Sequence, residues 1–256
     1  MRLQINIEYS VCLYARQVLR IIFCCYIFLA PSIVQSQDVD KSYLLGQFDE
    51  SKDLRFIKLD DEFARGSAQG RYLRKEAYEA FLKMAFAAKK DGITLFIISA
   101  TRNFDAQKRI WENKWAGRTL VEGKKLTTIV DLKKRAELIL LYSSMPSTSR
   151  HHWGTDMDLN SVENSYFDAE EGMKTYQWLT IHAAGFGFCQ PYTSKATGRT
   201  GYEEEKWHWS YWPLSKKLLD DYVKSVRYSD IKGFEGSKTA KSINAIEKYV
   251  QGIGCK

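Results

Sequence analysis

Residues 93–99, Ile-Thr-Leu-Phe-Ile-Ile-Ser, form a near-continuous apolar run that is rich in β-branched residues and opened by Gly92. A strand apolar on both alternating faces cannot lie half in water, so it must be covered on both sides. The flanking sequence supplies the cover. Upstream, Leu73, Ala77, Ala80, Phe81, Met84 and Ala88 recur at three- and four-residue spacing, which predicts a helix from Tyr72 to Lys90 that ends at Asp91-Gly92. Downstream of the polar residues Thr101, Arg102 and Asn103, a further helix carries Ala106, Ile110 and Trp111. Thr128 with Asp131 reads as a capping box before a stripe of Leu132, Ala136, Ile139 and Leu140 that Pro146 stops. Asp168 with Glu171 opens another helix, with Tyr176, Leu179 and Ala183 inside and Gly185 as its stop. Trp207–Trp212 has strand character, and Leu214, Leu218, Leu219, Tyr222 and Val226 mark a last amphipathic helix. Helices and strands intermingle without the regular alternation of a doubly wound sheet, so the class is α+β.

Composition narrows the possibilities. With 45% hydrophobic and 14% aromatic residues in 256, and only four prolines, the chain is neither disordered nor fibrous, and one main packed domain is expected. Arg16 and Arg20 precede an uncharged stretch, Ile21–Gln37, whose apolar centre Ile21–Ala30 falls short of the ~20 residues of a bilayer span. With the small residues Val34 and Ser36 before a cleavage point, residues 1–36 read as a signal peptide, the alternative being an uncleaved anchor. Phe23 before Cys24 and Cys25 argues against lipidation. Removing the signal's three arginines and one glutamate, a net +2, leaves +5 of the formal +7. The lysines are scattered and no basic groove interleaved with aromatics appears, which excludes nucleic acid as the expected partner. The expectation is an exported, periplasmic or cell-envelope monomer without a membrane span after cleavage. Cys189 and Cys255 survive cleavage and can pair in an oxidising compartment or remain as two free thiols. Residues 37–70 are polar and weakly patterned and read as an N-terminal extension, 71–228 as the main domain, and 229–256 as a C-terminal tail packed on it.

Of the four histidines, two lie in segments that look like site chemistry. In Ser149–Asp158, His151 and Asp158 stand seven apart with Gly154 between them, a pattern that favours a turn running into a strand. In Glu205-Lys206-Trp207-His208 a carboxylate stands three before an imidazole, among aromatics that exclude water. Two imidazoles, a carboxylate and an open position form a catalytic zinc site, and a further carboxylate can accept a proton beside it. Residues three apart on an ideal strand face opposite sides, so Glu205 must lie in the loop entering the strand if it shares a site with His208. Ordinary partly buried histidines are the competing reading. There is no nucleophile elbow, phosphate-binding loop or dinucleotide fingerprint.

The residues resemble the zinc D-alanyl-D-alanine carboxypeptidases of the VanY type, which include the L,D-carboxypeptidases of the LdcB type. Ser149–Asp158 is similar to the family's S-x-H-x-x-G-x-x-x-D signature and Glu205–His208 to its E-x-W-H signature. Ser99–Asn103 with Gln107, Trp178-Leu179, Ala183–Phe188 and Thr200-Gly201-Tyr202 also match, so the likeness covers about residues 73–222. It implies a small antiparallel-rich sheet flanked by helices, of the D-Ala-D-Ala carboxypeptidase/hedgehog-like fold, with the zinc site on the sheet. It further implies that His151, Asp158 and His208 bind one zinc ion per chain and that Glu205 is the catalytic base. Arg102 would hold the substrate carboxylate or the developing oxyanion, while Gln107, Ser149 and Trp207 would contact the peptide. The implied activity is removal of the terminal D-alanine from peptidoglycan stem peptides, with D,D or L,D specificity. A peptidoglycan endopeptidase and a non-catalytic wall-binding module are the alternatives. Lys206 stands where the family often has proline, Ser210 where it often has arginine, and Asp156 where it usually has a small residue. Asp156 is then a partner of a ligand or a competing ligand. His152 and His182 match no ligand position.

Overall fold

The computed structural model describes residues 40–255. The expected signal, 1–36, lies outside them. The helices are α1 (Lys41–Leu44), α2 (Lys75–Lys90), α3 (Phe104–Trp115), α4 (Leu132–Ile139), α5 (Glu170–His182) and α6 (Trp212–Ser225). The strands are β1 (Phe56–Lys58), β2 (Tyr72–Arg74), β3 (Ile97–Ser99), β4 (Asp156–Leu159), β5 (Phe188–Cys189) and β6 (His208–Tyr211). β1 and β2 form an antiparallel pair, and the other four form an antiparallel sheet in the order β3-β4-β6-β5. The class is α+β, as the interleaved patterns predict. No helix among the described residues is long and apolar enough to cross a membrane.

Several elements begin or end away from the predicted positions. Tyr72–Arg74 is strand rather than the first turn of a helix. Its backbone finds partners in β1, in Gly154 O for Arg74 N (2.9 Å) and in Thr101 N for Tyr72 O (3.2 Å). The apolar run from Ile93 becomes regular strand only at Ile97, because Asn160 takes over the earlier backbone groups. Its Oδ1 accepts from Phe96 N at 3.2 Å and its Nδ2 donates to Thr94 O at 2.7 Å. α4 is capped by Asp131 alone, which accepts from Lys133 N and Lys134 N, while Thr128 ends a preceding 3-10 turn. α4 closes at Ile139, well before Pro146. Asp168 does not cap α5; its carboxylate meets Lys206 Nζ at 2.8 Å.

Strand alternation divides the central sheet into an apolar and a polar face. Met157, Leu159 and Trp209 point into a core formed with Ala77, Phe81, Met84 and Ala88 of α2 and Leu179 of α5. Asp156, Asp158, His208 and Ser210 alternate with them and so lie on the other face. A second core contains Trp111 and Trp115 of α3, Trp153, and Leu218 and Tyr222 of α6. Residues 40–70 supply Tyr43, Leu44 and Phe56 to that core, and residues 229–255 supply Phe234, Ile243, Ile246 and Val250. Tyr43 Oη donates to Trp153 O at 2.5 Å and Trp153 Nε1 donates to Leu44 O at 3.2 Å. Cys189 and Cys255 form a disulfide with Cα atoms 5.8 Å apart, which joins the C-terminal segment to β5.

Gly154 turns the chain from the 3-10 turn Arg150–Trp153 into β4. It adopts φ +71°, and a Cβ there would stand 2.3 Å from Phe56 Cε1. Gly154→Ala is therefore expected to cost about 3 kcal/mol, from the left-handed backbone and the forced ring displacement together. The midpoint of equilibrium urea unfolding reads this directly, and an unchanged midpoint would contradict it.

Candidate metal centre and active site

The register of the sheet brings the key side chains together. Asp158 on β4 pairs with His208 on β6, and Ser99 on β3 pairs with Asp158. Cross-strand partners on one face stand with Cβ atoms about 5 Å apart, so carboxylate and imidazole meet with no special loop. His151 arrives from the 3-10 turn before Gly154. One ligand atom from each of His151, Asp158 and His208 lies within 4.8 Å of the others, and all three residues are buried.

Each imidazole is fixed through the nitrogen that faces away from this point. His151 Nδ1 is 2.9 Å from Ala100 O, which leaves Nε2 directed inward at 3.3 Å from Asp158 Oδ1. His208 Nε2 is 2.9 Å from Asp156 Oδ2, which leaves Nδ1 at 3.2 Å from Asp158 Oδ1. Such outward anchoring selects the tautomer and points the lone pair at a metal. His151 Nε2 and Asp158 Oδ1 are buried with no hydrogen-bond partner. Leaving such groups unpaired costs about 1–3 kcal/mol each, and a cation held between them accounts for their positions. The donor set of two imidazoles, one carboxylate and an open side fits a catalytic zinc ion.

Glu205 lies in the loop before β6, as its spacing from His208 requires, and its Oε2 is 3.3 Å from His208 Nδ1. Its backbone is held on both sides. Glu205 N donates to Tyr192 O at 2.9 Å, and Gln190 Nε2 donates to Glu205 O at 3.0 Å. Burial pushes its carboxyl above the ordinary carboxylate range, offset in part by the bond to His208. The two imidazoles move in opposite directions. Burial and the nearby Arg102 lower His151, whereas on His208 the opposing effect of burial is overcome by Asp156, Asp158 and Glu205, which raise it well above its ordinary value.

Arg102 follows β3 and leans over the cluster, with Nη1 3.6 Å from Asp158 Oδ2. Its Nε donates to Gln107 Oε1 at 2.9 Å and its Nη1 to Ser99 Oγ at 2.6 Å. Gln107 is 1% exposed, and its amide nitrogen donates to Ser144 O at 2.8 Å, so both ends of that side chain are engaged in holding Arg102 and the Ser144 loop. A cavity of about 570 Å³ opens over these groups, lined by Arg102, Gln107 and Trp207 together with His151, Asp158, Glu205 and His208. Ser149 does not line it. That residue sits at the start of the inward-turning 3-10 segment, with its hydroxyl buried and without a partner.

The family profile described as "VanY: D-alanyl-D-alanine carboxypeptidase" matches residues 70–214, which is most of the described chain. The chain belongs to the VanY family. YodJ of Bacillus subtilis (strain 168) is 32% identical over 204 residues, covering 74% of this chain and 67% of that protein. The D-alanyl-D-alanine carboxypeptidase of Enterococcus faecium is 25% identical over 177 residues, covering 68% of this chain and about half of that protein, 49%. Among solved structures, VanYB in complex with D-alanine-D-alanine is 22% identical with a TM-score of 0.49, and the match covers 68% of this chain and 91% of that one.

The departures from the VanY-family pattern now have structural readings. Lys206 uses its backbone N–H, which proline lacks, to donate to Asn164 Oδ1 at 3.2 Å, while Asn164 Nδ2 donates to Glu204 O at 2.7 Å. These bonds pin the loop that carries Glu205. Asp156 lies beside His208 and outside the three-residue ligand cluster. Its Oδ2 accepts from Arg150 Nε at 2.8 Å as well as facing His208, and its Oδ1 accepts from Ser210 Oγ and Thr155 Oγ1 at 2.8 Å. Burial acts to raise the Asp156 carboxyl, and Arg150 and His208 outweigh it to hold it far below the ordinary range. His152 is buried, with Ser147 N donating to its Nε2 at 3.0 Å and its Nδ1 on Arg102 O; burial lowers it to about 3. His182 is exposed and packs on Trp178, with ring centroids 4.8 Å apart. The sequence pattern did not single out Lys114, Tyr192 or Asn164. Asn164 and Lys114 carry no periodic signal of their own, and Tyr192, whose ring centroid is 4.7 Å from that of His208, lies in a loop.

Proposed function

We propose that the protein is an exported, zinc-dependent carboxypeptidase that removes the terminal D-alanine from peptidoglycan stem peptides. The observation that carries this reading is the convergence of His151 Nε2, Asp158 Oδ1 and His208 Nδ1 at one buried point, with the separate carboxylate of Glu205 beside it. Membership of a D-alanyl-D-alanine carboxypeptidase family, and the name of the enterococcal relative, support the substrate class. The disulfide suits an oxidising compartment and so supports export.

His151, Asp158 and His208 would hold the zinc ion, which when bound supplies Lewis acidity to the attacking water and the scissile carbonyl. Glu205 takes the proton of that water and returns it to the leaving amine. Its raised affinity for a proton suits both halves of the task. Arg102, held by Ser99 and Gln107, presents its remaining N–H groups to the oxygen on which charge develops. Trp207 and Tyr142, with ring centroids 6.2 Å apart, wall the cavity and help exclude water.

The test is mass spectrometry of synthetic stem pentapeptide and tetrapeptide after incubation with the purified protein, with chelator and with zinc restored. Loss of one terminal residue that disappears on chelation and returns with zinc is expected, and the preferred peptide separates D,D from L,D activity. Zinc bound at one per chain with neither peptide cleaved would reject the carboxypeptidase reading in favour of an endopeptidase or a binding module.

A further inference from the structure

Lys114 is seven residues after Gln107 on α3, two turns further along the same face and about 10 Å up the helix axis. It lines the cavity together with Tyr142, Ser143 and Trp207. Its ammonium donates to Ser143 Oγ at 2.6 Å, and no carboxylate among the described residues pairs with it within 4.0 Å. An ammonium has three donors, so one neutral partner leaves two for a ligand. Burial pushes its pKa down, and the charge of Glu205 offsets part of that, which sets Lys114 within electrostatic reach of the base. Glu122 and Glu163 also line the cavity, and neither closes on the ammonium.

Arg102 is differently placed. Gln107 and Ser99 take its Nε and Nη1, and Asp158 lies 3.6 Å from Nη1, so the guanidinium is tied to the ligand cluster. It keeps three N–H donors, both of those on Nη2 among them, and its closeness to Asp158 assigns these to the oxygen on which charge develops, so a second cation is needed for the chain end. We propose that Lys114 is the anchor for the terminal carboxylate of the substrate, and that it restricts this protein to the ends of peptide chains. The inference rests on the carboxypeptidase reading above and assigns its end-selectivity to one side chain. An internal or amidated bond would leave a half-buried ammonium without its counter-ion, so such substrates are rejected by a missing partner rather than by a clash.

The probes are acetyl-D-alanyl-D-alanine and its C-terminal amide, neither of which carries any other carboxylate. Binding to the zinc-loaded protein is read by tryptophan fluorescence, and hydrolysis of the acid is measured in parallel. The parent is expected to bind the acid about tenfold more tightly than the amide. Lys114→Met should abolish that preference by weakening the acid alone, with the loss appearing in KM, and Lys114→Arg should restore most of it. Ser143→Ala, which removes only the hydroxyl on Nζ, should move the ratio in the same direction by a smaller factor and serves if Lys114→Met does not fold. A parent preference that persists in both variants overturns the role of Lys114 and leaves the carboxypeptidase reading intact. A parent that neither hydrolyses the acid nor distinguishes it from the amide overturns that reading and the inference with it.

Discussion

Glu205→Gln is expected to keep one zinc ion per chain and to lower turnover of stem peptides by about 10²–10⁴-fold, the usual contribution of a positioned general base. Glu205 is not one of the three residues whose ligand atoms cluster, and its backbone is fixed by Tyr192 and Gln190, so the amide should occupy the same place. What the variant loses is the ability to take a proton. Metal content by mass spectrometry and kcat at saturating peptide separate the outcomes. Retained zinc with turnover lost supports the assignment, retained zinc with full turnover rejects it, and lost zinc would make Glu205 a ligand. With Glu205 as the proposed base, activity in the parent is expected to fall as pH falls through the pKa of this group, which burial raises. The variant should lack that acid limb.

The site was legible in the sequence to the extent that strand register is. Asp158 and His208 are cross-strand partners, and Gly154 ends the turn that carries His151, so the spacings in Ser149–Asp158 and Glu205–His208 map directly onto contacts. Glu205 could be placed in a loop because a three-residue separation cannot keep two side chains on one face of a strand. Asp156 was harder. Alternation puts it on the face of Asp158, but its role is decided by Arg150 and Ser210, and Ser210 lies across the sheet from it. Gln107 and Lys114 sit on one helix face, where position alone does not distinguish a buried brace from a solvated side chain. Residues 40–70 read as weakly patterned because their core contacts come from isolated anchors, Tyr43, Leu44 and Phe56, at no regular spacing. The helix predicted from Tyr72 failed at its start since Leu73 is buried either way, and only the partner strand β1 decides the backbone.

Asp156→Asn should separate two functions that one carboxylate performs. Arg150 and Asp156 are both 0% exposed, and removing one partner of a buried ion pair costs about 3–5 kcal/mol because the other charge remains desolvated. Arg150 is already short of partners, since its Nη1 has none, so Ser210 Oγ at 2.7 Å from Nη2 cannot make good the loss. The same substitution removes the negative charge that holds His208 Nε2, and loss of such a support typically weakens metal affinity by about 10–100-fold. Pairing the change with Arg150→Met tells the effects apart. With both charges gone, stability should return to within about 2 kcal/mol of the parent, because an apolar side chain can fill the space of a buried ion pair at little cost. Zinc affinity should remain low, because the imidazole still lacks its carboxylate. Urea unfolding and competition for zinc against a chelator measure the two quantities independently. If the double variant regained full zinc affinity, Asp156 would be no more than the counter-ion of Arg150. If stability stayed low while affinity was normal, the orientation of His208 would have to come from the sheet register alone.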